Sequence, residues 1–179
     1  MTHFKHRMTV EITAERLRYV LHYNPLSGVF TWRVSTSNRS PVGSVAGTSS
    51  RGYCTIAIDG VKYVASNLAW LYMKGTWPET GIDHKDQDPT NDRWDNLRLA
   101  NQSQNLANSR MRHDNTSGYR GVSWRSDRGK WRAYVVWHGK TVHCGYFDDI
   151  EEAVAARDTK ALELHGAFAR LNDEQEYRQ

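Results

Sequence analysis

Cysteine is scarce in this chain. Among its 179 residues only Cys54 and Cys144 occur, far apart and in no CxxC pair. That excludes a disulfide framework and a zinc ribbon, and two isolated thiols fit a reducing cytosol. Long apolar runs are lacking too: nothing approaches the roughly 18 residues of a membrane span, so no membrane partner is expected. The opening MTHFKHRMTVEITAERLRYVL has no apolar core followed by a small-residue cleavage site. No secretory signal is therefore expected, and the expected location is cytoplasmic. A hydrophobic content of 39% and a mean hydropathy of −0.74 describe a soluble, polar chain.

Positive charge is in modest excess. The formal charge is +4 and the isoelectric point about 9.1, a weak hint of a polyanionic partner. Its distribution says more. Arg110, Arg112, Arg120, Arg125, Arg128, Lys130, Arg132 and Lys140 face only Asp114 and Asp127 in their stretch, and Trp124, Trp131, Tyr134 and Trp137 interleave them. Basic residues mixed with aromatics suit phosphates and bases. The alternative is a solvated sheet face with its aromatics in the core, which is the expected place of Trp131.

The chain divides into three sections. In the first, to about residue 80, TAERLRYVL reads as a helix capped by Thr13, with Leu17, Val20 and Leu21 on one side. Asn24, Pro25, Ser27 and Gly28 mark a turn, and VFTWRV a strand. YCTIAI and VKYVA flank Asp59-Gly60, a hairpin signal. SNLAWLYMKG reads as a helix capped by Ser66 and stopped by Gly75. Nothing here has a catalytic spacing, and the section is expected to be scaffold.

The second section contains IDHKDQDPTNDRWDNLRLANQSQNLAN, residues 82 to 108, the stretch richest in Asp, His and Asn. GIDH is an expected strand ending on Asp83 and His84. A polar loop follows, then a second strand opened by Asn96, then a helix capped by Ser103 with Asn105 in its first turns. Asp86, Asp88, Asn91 and Asp92 are expected to make local turn bonds. Arg98 either touches a phosphate or faces solvent.

This order and the pattern IDH…N…N, with DNLRLANQSQN, resemble the HNH nuclease motif in its His-Asn-Asn form, as in the endonucleases of phages and mobile introns. His84 and Asn96 are twelve positions apart, Asn96 and Asn105 nine. NPLSGVFTWR, the Asp-Gly hairpin and LAWLYMKGTWPE are similar to the family as well. The resemblance implies a ββα-metal module hydrolysing phosphodiesters with one divalent ion, water attacking in line and the 3′ oxygen leaving. His84 would be the general base, its ordinary pKa lying near neutrality. Asp83 and the amide oxygen of Asn105 would be the metal ligands, an oxygen set that suits Mg²⁺ or Mn²⁺ better than Zn²⁺. Asn96 would supply a carbonyl that orients the His84 ring. The family often has His at the third position, where this chain has Asn105.

The third section follows a polar hinge, HDNTSG. YRGVSWR, KWRAYVVWHGK and TVHCGYF are expected strands, and DDIEEAVAARDTKALELHG a long amphipathic helix ending near Gly166. Alternation puts Lys130, Arg132, Tyr134 and Val136 on one side of the middle strand. YRGVSWR, GKWRAYV, GYF, EEAVAARD and ARLN resemble the AP2 domain, which uses its sheet in the DNA major groove. Carried over by matching position, the DNA contacts would be Arg120, Ser123, Arg125, Arg132, Tyr134, Thr141 and His143. Ser123 and His143 depart from the Arg and Trp common there, so a target sequence does not transfer.

The expected fold is therefore α+β: an HNH domain over 1–111 with its ββα-metal core at about 80–110, a linker at 112–117, and an AP2-like domain at 118–173. The expected function is a site-specific, homing-type endonuclease acting on double-stranded DNA, without a small-molecule cofactor. The alternative is a DNA-binding regulator with an inert nuclease site. An RNA-binding protein lacks the expected aromatic surface motifs.

Overall fold

The structure, a computed structural model, describes residues 11–35, 40–50, 52–109, 111 and 114–172. Arg110 and Arg112 of the basic run, linker residues 112 and 113, Asp173 and the first ten residues lie outside this set. The fold is mixed α+β, with small antiparallel sheets and helices in two compact units that divide between Leu99 and Ala100. The sequence reading sets its break at Met111 instead, which would leave the helix after Ala100 with the first unit.

In the first unit, Thr13 caps α1 (Ala14–Val20) by accepting from the Arg16 N–H at 3.1 Å, as expected. The chain then enters β1 (Leu21–Asn24), which pairs with β2 (Val29–Trp32). The sequence reading ran the helix through Leu21 and missed β1. Leu17, Val20 and Leu21 are all fully buried, so apolar spacing alone cannot show where helix becomes strand. Tyr23 and Phe30 face each other across the hairpin, ring centroids 4.7 Å apart. Its turn is as read: Asn24 Oδ1 accepts from the N–H groups of Leu26 and Ser27, and Gly28 has φ +75°.

A second sheet runs in the order β3 (Thr48–Ser50), β4 (Tyr53–Ile58), β5 (Val61–Val64). Asp59 and Gly60 join β4 to β5 with φ of +50° and +81°, the mirror-image turn that matches strand twist. Strand β5 passes directly into α2 (Ala65–Lys74), so the cap position falls on Val64, which has no side-chain oxygen. Ser66, expected as the cap, lies inside the first turn and is buried. Gly75 ends the helix at φ +81°, as expected. Leu17, Phe30, Ile56, Leu68 and Leu97 share one apolar core. Strands β6 (Gly81–His84) and β7 (Leu97–Ala100) form a two-stranded sheet.

The second unit opens with α3 (Gln102–Asn108). Its cap is Asn101, not Ser103: Asn101 Oδ1 accepts from Gln104 N–H at 2.9 Å, and Gln104 Oε1 accepts from Asn101 N–H at 2.8 Å. That reciprocal box satisfies two end donors at once, which a single hydroxyl cannot do. The sheet order is β10 (Lys140–Phe147), β9 (Lys130–Trp137), β8 (Val122–Arg125). Helix α4 (Ile150–His165), capped by Asp149, packs on one face, with Val122, Ala133 and Ala153 buried between. Trp131 packs against this core as read, while Trp124 lies edge-on to it and half exposed. Asn172 then returns to the residues that lead into β8. Its Oδ1 accepts from Arg120 N–H at 2.7 Å, and its Nδ2 donates to the Arg120 carbonyl at 3.2 Å and to Asp158 at 2.9 Å.

Candidate functional site

Strand β6 carries Asp83 and His84 at its end, both buried although both are polar. Buried charge must be paired, and each has a partner. The Arg98 Nε–H of β7 donates to Asp83 Oδ2 at 2.7 Å, so Arg98 neither faces open solvent nor stands apart. His84 Nε2 lies 3.0 Å from Asp92 Oδ1, with the Asp92 side chain only 4% exposed.

Asp92, assigned to local turn bonds by sequence reasoning, is instead the buried partner of His84. Asp86, Asp88 and Asn91 do make such bonds: Asp86 Oδ1 accepts from Asp88 N–H, Asp88 Oδ1 from Thr90 N–H, and Asp86 Oδ2 from Asn91 Nδ2. Nothing in a run of short acidic residues marks the one that turns inward. Burial pushes the Asp92 carboxyl above its ordinary range, and the hydrogen bond and charge of His84 oppose that only in part. Burial would raise Asp86 too, but donors from Asp88, Asn91 and Asn96 outweigh it and hold Asp86 low.

Asn96 also departs from expectation. It closes a 3₁₀ turn (Trp94–Asn96) instead of opening β7. Its side-chain amide bonds within the loop. Asn96 Oδ1 accepts from Asp86 N–H at 3.1 Å, and Nδ2 donates to Asp86 Oδ1 at 2.9 Å and to the Asn91 carbonyl at 2.8 Å. The Asn96 carbonyl accepts from Lys85 N–H at 3.0 Å, next to His84. With these bonds the side chain is committed to the loop, and Asp92 takes the ring. Asn105 lies half-buried on α3 in the second unit. Among the described residues no three His, Cys, Asp or Glu side chains gather as a metal cage. The donor set implied by the resemblance has one carboxylate and one amide.

The loop is held from beneath by the first hairpin. Tyr23 Oη donates to the Asp92 carbonyl at 2.6 Å, and Trp94 N–H donates to the Pro25 carbonyl at 3.0 Å. A Cβ on Gly28 would stand 2.5 Å from the Asp92 carbonyl carbon and 2.6 Å from Arg93 N. Only glycine lets the two backbones approach so closely.

Two comparisons bear on this arrangement. Residues 63–107 match the HNH endonuclease family, a segment that contains Asp83, His84, Asp92, Asn96 and Asn105. The chain is also 45% identical over 90 residues to Protein 3.8 of Escherichia phage T7, covering 50% of this chain and 74% of that protein. The chain belongs to the HNH endonuclease family. The HNH segment begins in β5 and runs through α2, so the helix leading into β6 is part of the shared unit rather than an appendage.

The seven residues expected to meet DNA fall on the second unit. Pairing register places Ser123 opposite Arg132, Arg125 opposite Lys130, His143 opposite Tyr134 and Thr141 opposite Val136. Partners in register share a face. Six of the seven therefore line the face opposite α4. Arg132 stacks over the Tyr134 ring at 4.9 Å, and Arg125 pairs with Asp127 at 2.9 Å. Arg120 precedes β8, and its guanidinium donates to the Ser109 carbonyl. No helix among the described residues is long and apolar enough to cross a membrane.

Proposed function

We propose that this protein is a site-specific, homing-type DNA endonuclease in which His84 is the general base and the sheet of the second unit reads the target. The buried pair of Asp83 and His84 at the end of one strand, inside the HNH segment, carries the reading. Asp83 pairs with the Arg98 guanidinium at 2.7 Å, which holds its carboxylate at the end of the strand. The resemblance adds the Asn105 amide oxygen to Asp83 as metal ligands, an oxygen set of the kind that hard cations such as Mg²⁺ or Mn²⁺ prefer. Such an ion, when bound, neutralises phosphate charge and stabilises the leaving oxygen. His84 removes a proton from the attacking water. Asn96 fixes the loop that ends at the site.

The second unit supplies selectivity, in the manner of the AP2 domain it resembles. A cationic, aromatic-bearing face of Ser123, Arg125, Arg132, Tyr134, Thr141 and His143 suits the major groove, where side chains read base edges. Arg120 precedes these strands and donates to the Ser109 carbonyl, and the resemblance counts it among the DNA contacts as well. The HNH domain proposed over 1–111 and the reader over 118–173 are joined by residues 112–117. An inert site on a DNA-binding regulator is the competing reading, and the intact Asp83, His84, Asn96 and Asn105 set speaks against it.

The experiment incubates the purified protein with a pool of double-stranded DNA and Mg²⁺ or Mn²⁺, then sequences the cut ends. Cutting at a recurring site that EDTA abolishes is expected. Full activity in excess EDTA would overturn the metal assignment, and uncut DNA under all conditions would overturn the endonuclease.

A further inference from the structure

We propose that Asp92 is the positioning residue of the site: its carboxylate accepts the Nε2–H of His84 and leaves Nδ1 as the basic nitrogen, with Asp92 itself held in place by Tyr23 and Gly28 of the first hairpin. The proposal rests on the reading of His84 as the base.

Three observations carry it. The His84 Nε2 to Asp92 Oδ1 distance is 3.0 Å, and both side chains are buried, at 8% and 4% exposure. A carboxylate beside an imidazole N–H fixes both tautomer and ring orientation, as in other sites where a second residue aims the first. Asp92 sits on a loop, and a loop is a poor foundation for a geometry that tolerates only about 0.5 Å of error. Here the loop is pinned at three points. Tyr23 Oη bonds the Asp92 carbonyl at 2.6 Å, the Pro25 carbonyl accepts from Trp94 N–H at 3.0 Å, and Gly28 lies directly against the Asp92–Arg93 peptide. Tyr23 is itself 1% exposed, with its ring against Phe30 and Tyr72. The chain of contact thus runs from the N-terminal hairpin through Asp92 to His84. The hairpin lies outside residues 63–107, so the HNH segment draws on residues beyond its own bounds.

The test uses the full chain with ¹⁵N-labelled histidine, with the His84 signals assigned against the His84→Gln spectrum. Long-range ¹H–¹⁵N correlation reads the tautomer of His84, and steady-state cleavage gives kcat and KM. The wild type should show the Nε2–H tautomer. Asp92→Ala should lose it and lower kcat by about 10- to 100-fold with KM for DNA little changed. Asp92→Asn, whose amide oxygen can still accept, should restore part of both. Tyr23→Phe keeps the buried ring and removes only the hydroxyl, so it folds even where Asp92→Ala does not. It should lower kcat by a smaller factor and broaden the His84 signals. A wild type with the Nδ1–H tautomer, or unchanged His84 signals and kcat in Asp92→Ala and Tyr23→Phe, would overturn the proposal. If the wild type cuts no DNA, the endonuclease reading fails, while the tautomer measurement still decides whether Asp92 holds His84.

Discussion

Arg98 Nε–H donates to Asp83 Oδ2 across 2.7 Å, and the two side chains are 18% and 8% exposed. A buried ion pair contributes little net stability when whole, yet removing one member takes a compensating charge from the other, at a cost of up to about 3–5 kcal/mol. Arg98→Met should therefore lower unfolding free energy by up to that amount in urea titrations. Adding Asp83→Asn should recover much of the loss, because the carboxylate charge is gone. A double variant as unstable as the single would show that packing of the Arg98 stem, not charge, is what was lost.

His84→Ala removes the proposed base and leaves Asp83 and the second unit intact. Cleavage should fall by about 10²–10⁴-fold. DNA affinity in gel shifts should change little. Circular dichroism is needed beside both assays, since the substitution leaves Asp92 buried without its ring partner. Cutting at the wild-type rate would remove His84 from the mechanism.

Arg132 stacks over Tyr134 on the face of the β8–β10 sheet opposite α4. Arg132→Ala should cost about 1–3 kcal/mol of binding if it reads a base. If it meets a phosphate instead, the loss should be uniform across sequences, with a shallower salt dependence. Affinity measured at several salt concentrations on matched and scrambled DNA distinguishes these. Equal affinity under all of them would make Arg132 an ornament of the surface.

Burial holds His165 below its ordinary pKa of 6.5; its hydrogen bond to the Val136 backbone opposes this, and Arg157 and His138 add to it. In the unfolded chain the same ring titrates near the ordinary value. The unfolded state therefore binds more protons as pH falls below about 6.5, and folding stability falls until the folded value is passed. His165→Gln should flatten that part of the curve. Urea midpoints for both proteins between about pH 7.5 and pH 5 give the comparison, and identical slopes would refute it.

How much was legible depended on whether the deciding contact was local. The hairpin turn at Asp59-Gly60, the stop at Gly75 and the alternation of β9 are set by neighbours in sequence, and they were readable. The Asp83, His84 and Asn96 spacing was readable through family resemblance. The caps at Val64 and Asn101 were not, because an adjoining strand in one case and a reciprocal side chain in the other moved each by two positions. Asp92 was hidden for a different reason. Its inward turn is dictated by Tyr23, 69 residues earlier, and no period in the sequence spans that distance.

The clamp of Asn172 on Arg120 brings the last described residue of the second unit back to its first strand. The segment from Arg120 to Asn172, whose two ends meet, is arranged as a cassette. It can be set into a different host chain through two closely spaced tethers, provided α3 travels with it, since His138 N–H bonds Ser103 Oγ and Arg120 bonds the Ser109 carbonyl. A fusion that keeps residues on both sides of that clamp should fold with its sheet and helix intact, whereas one that ends before Asn172 removes a hydrogen-bond partner of Asp158, which pairs with the buried Arg157.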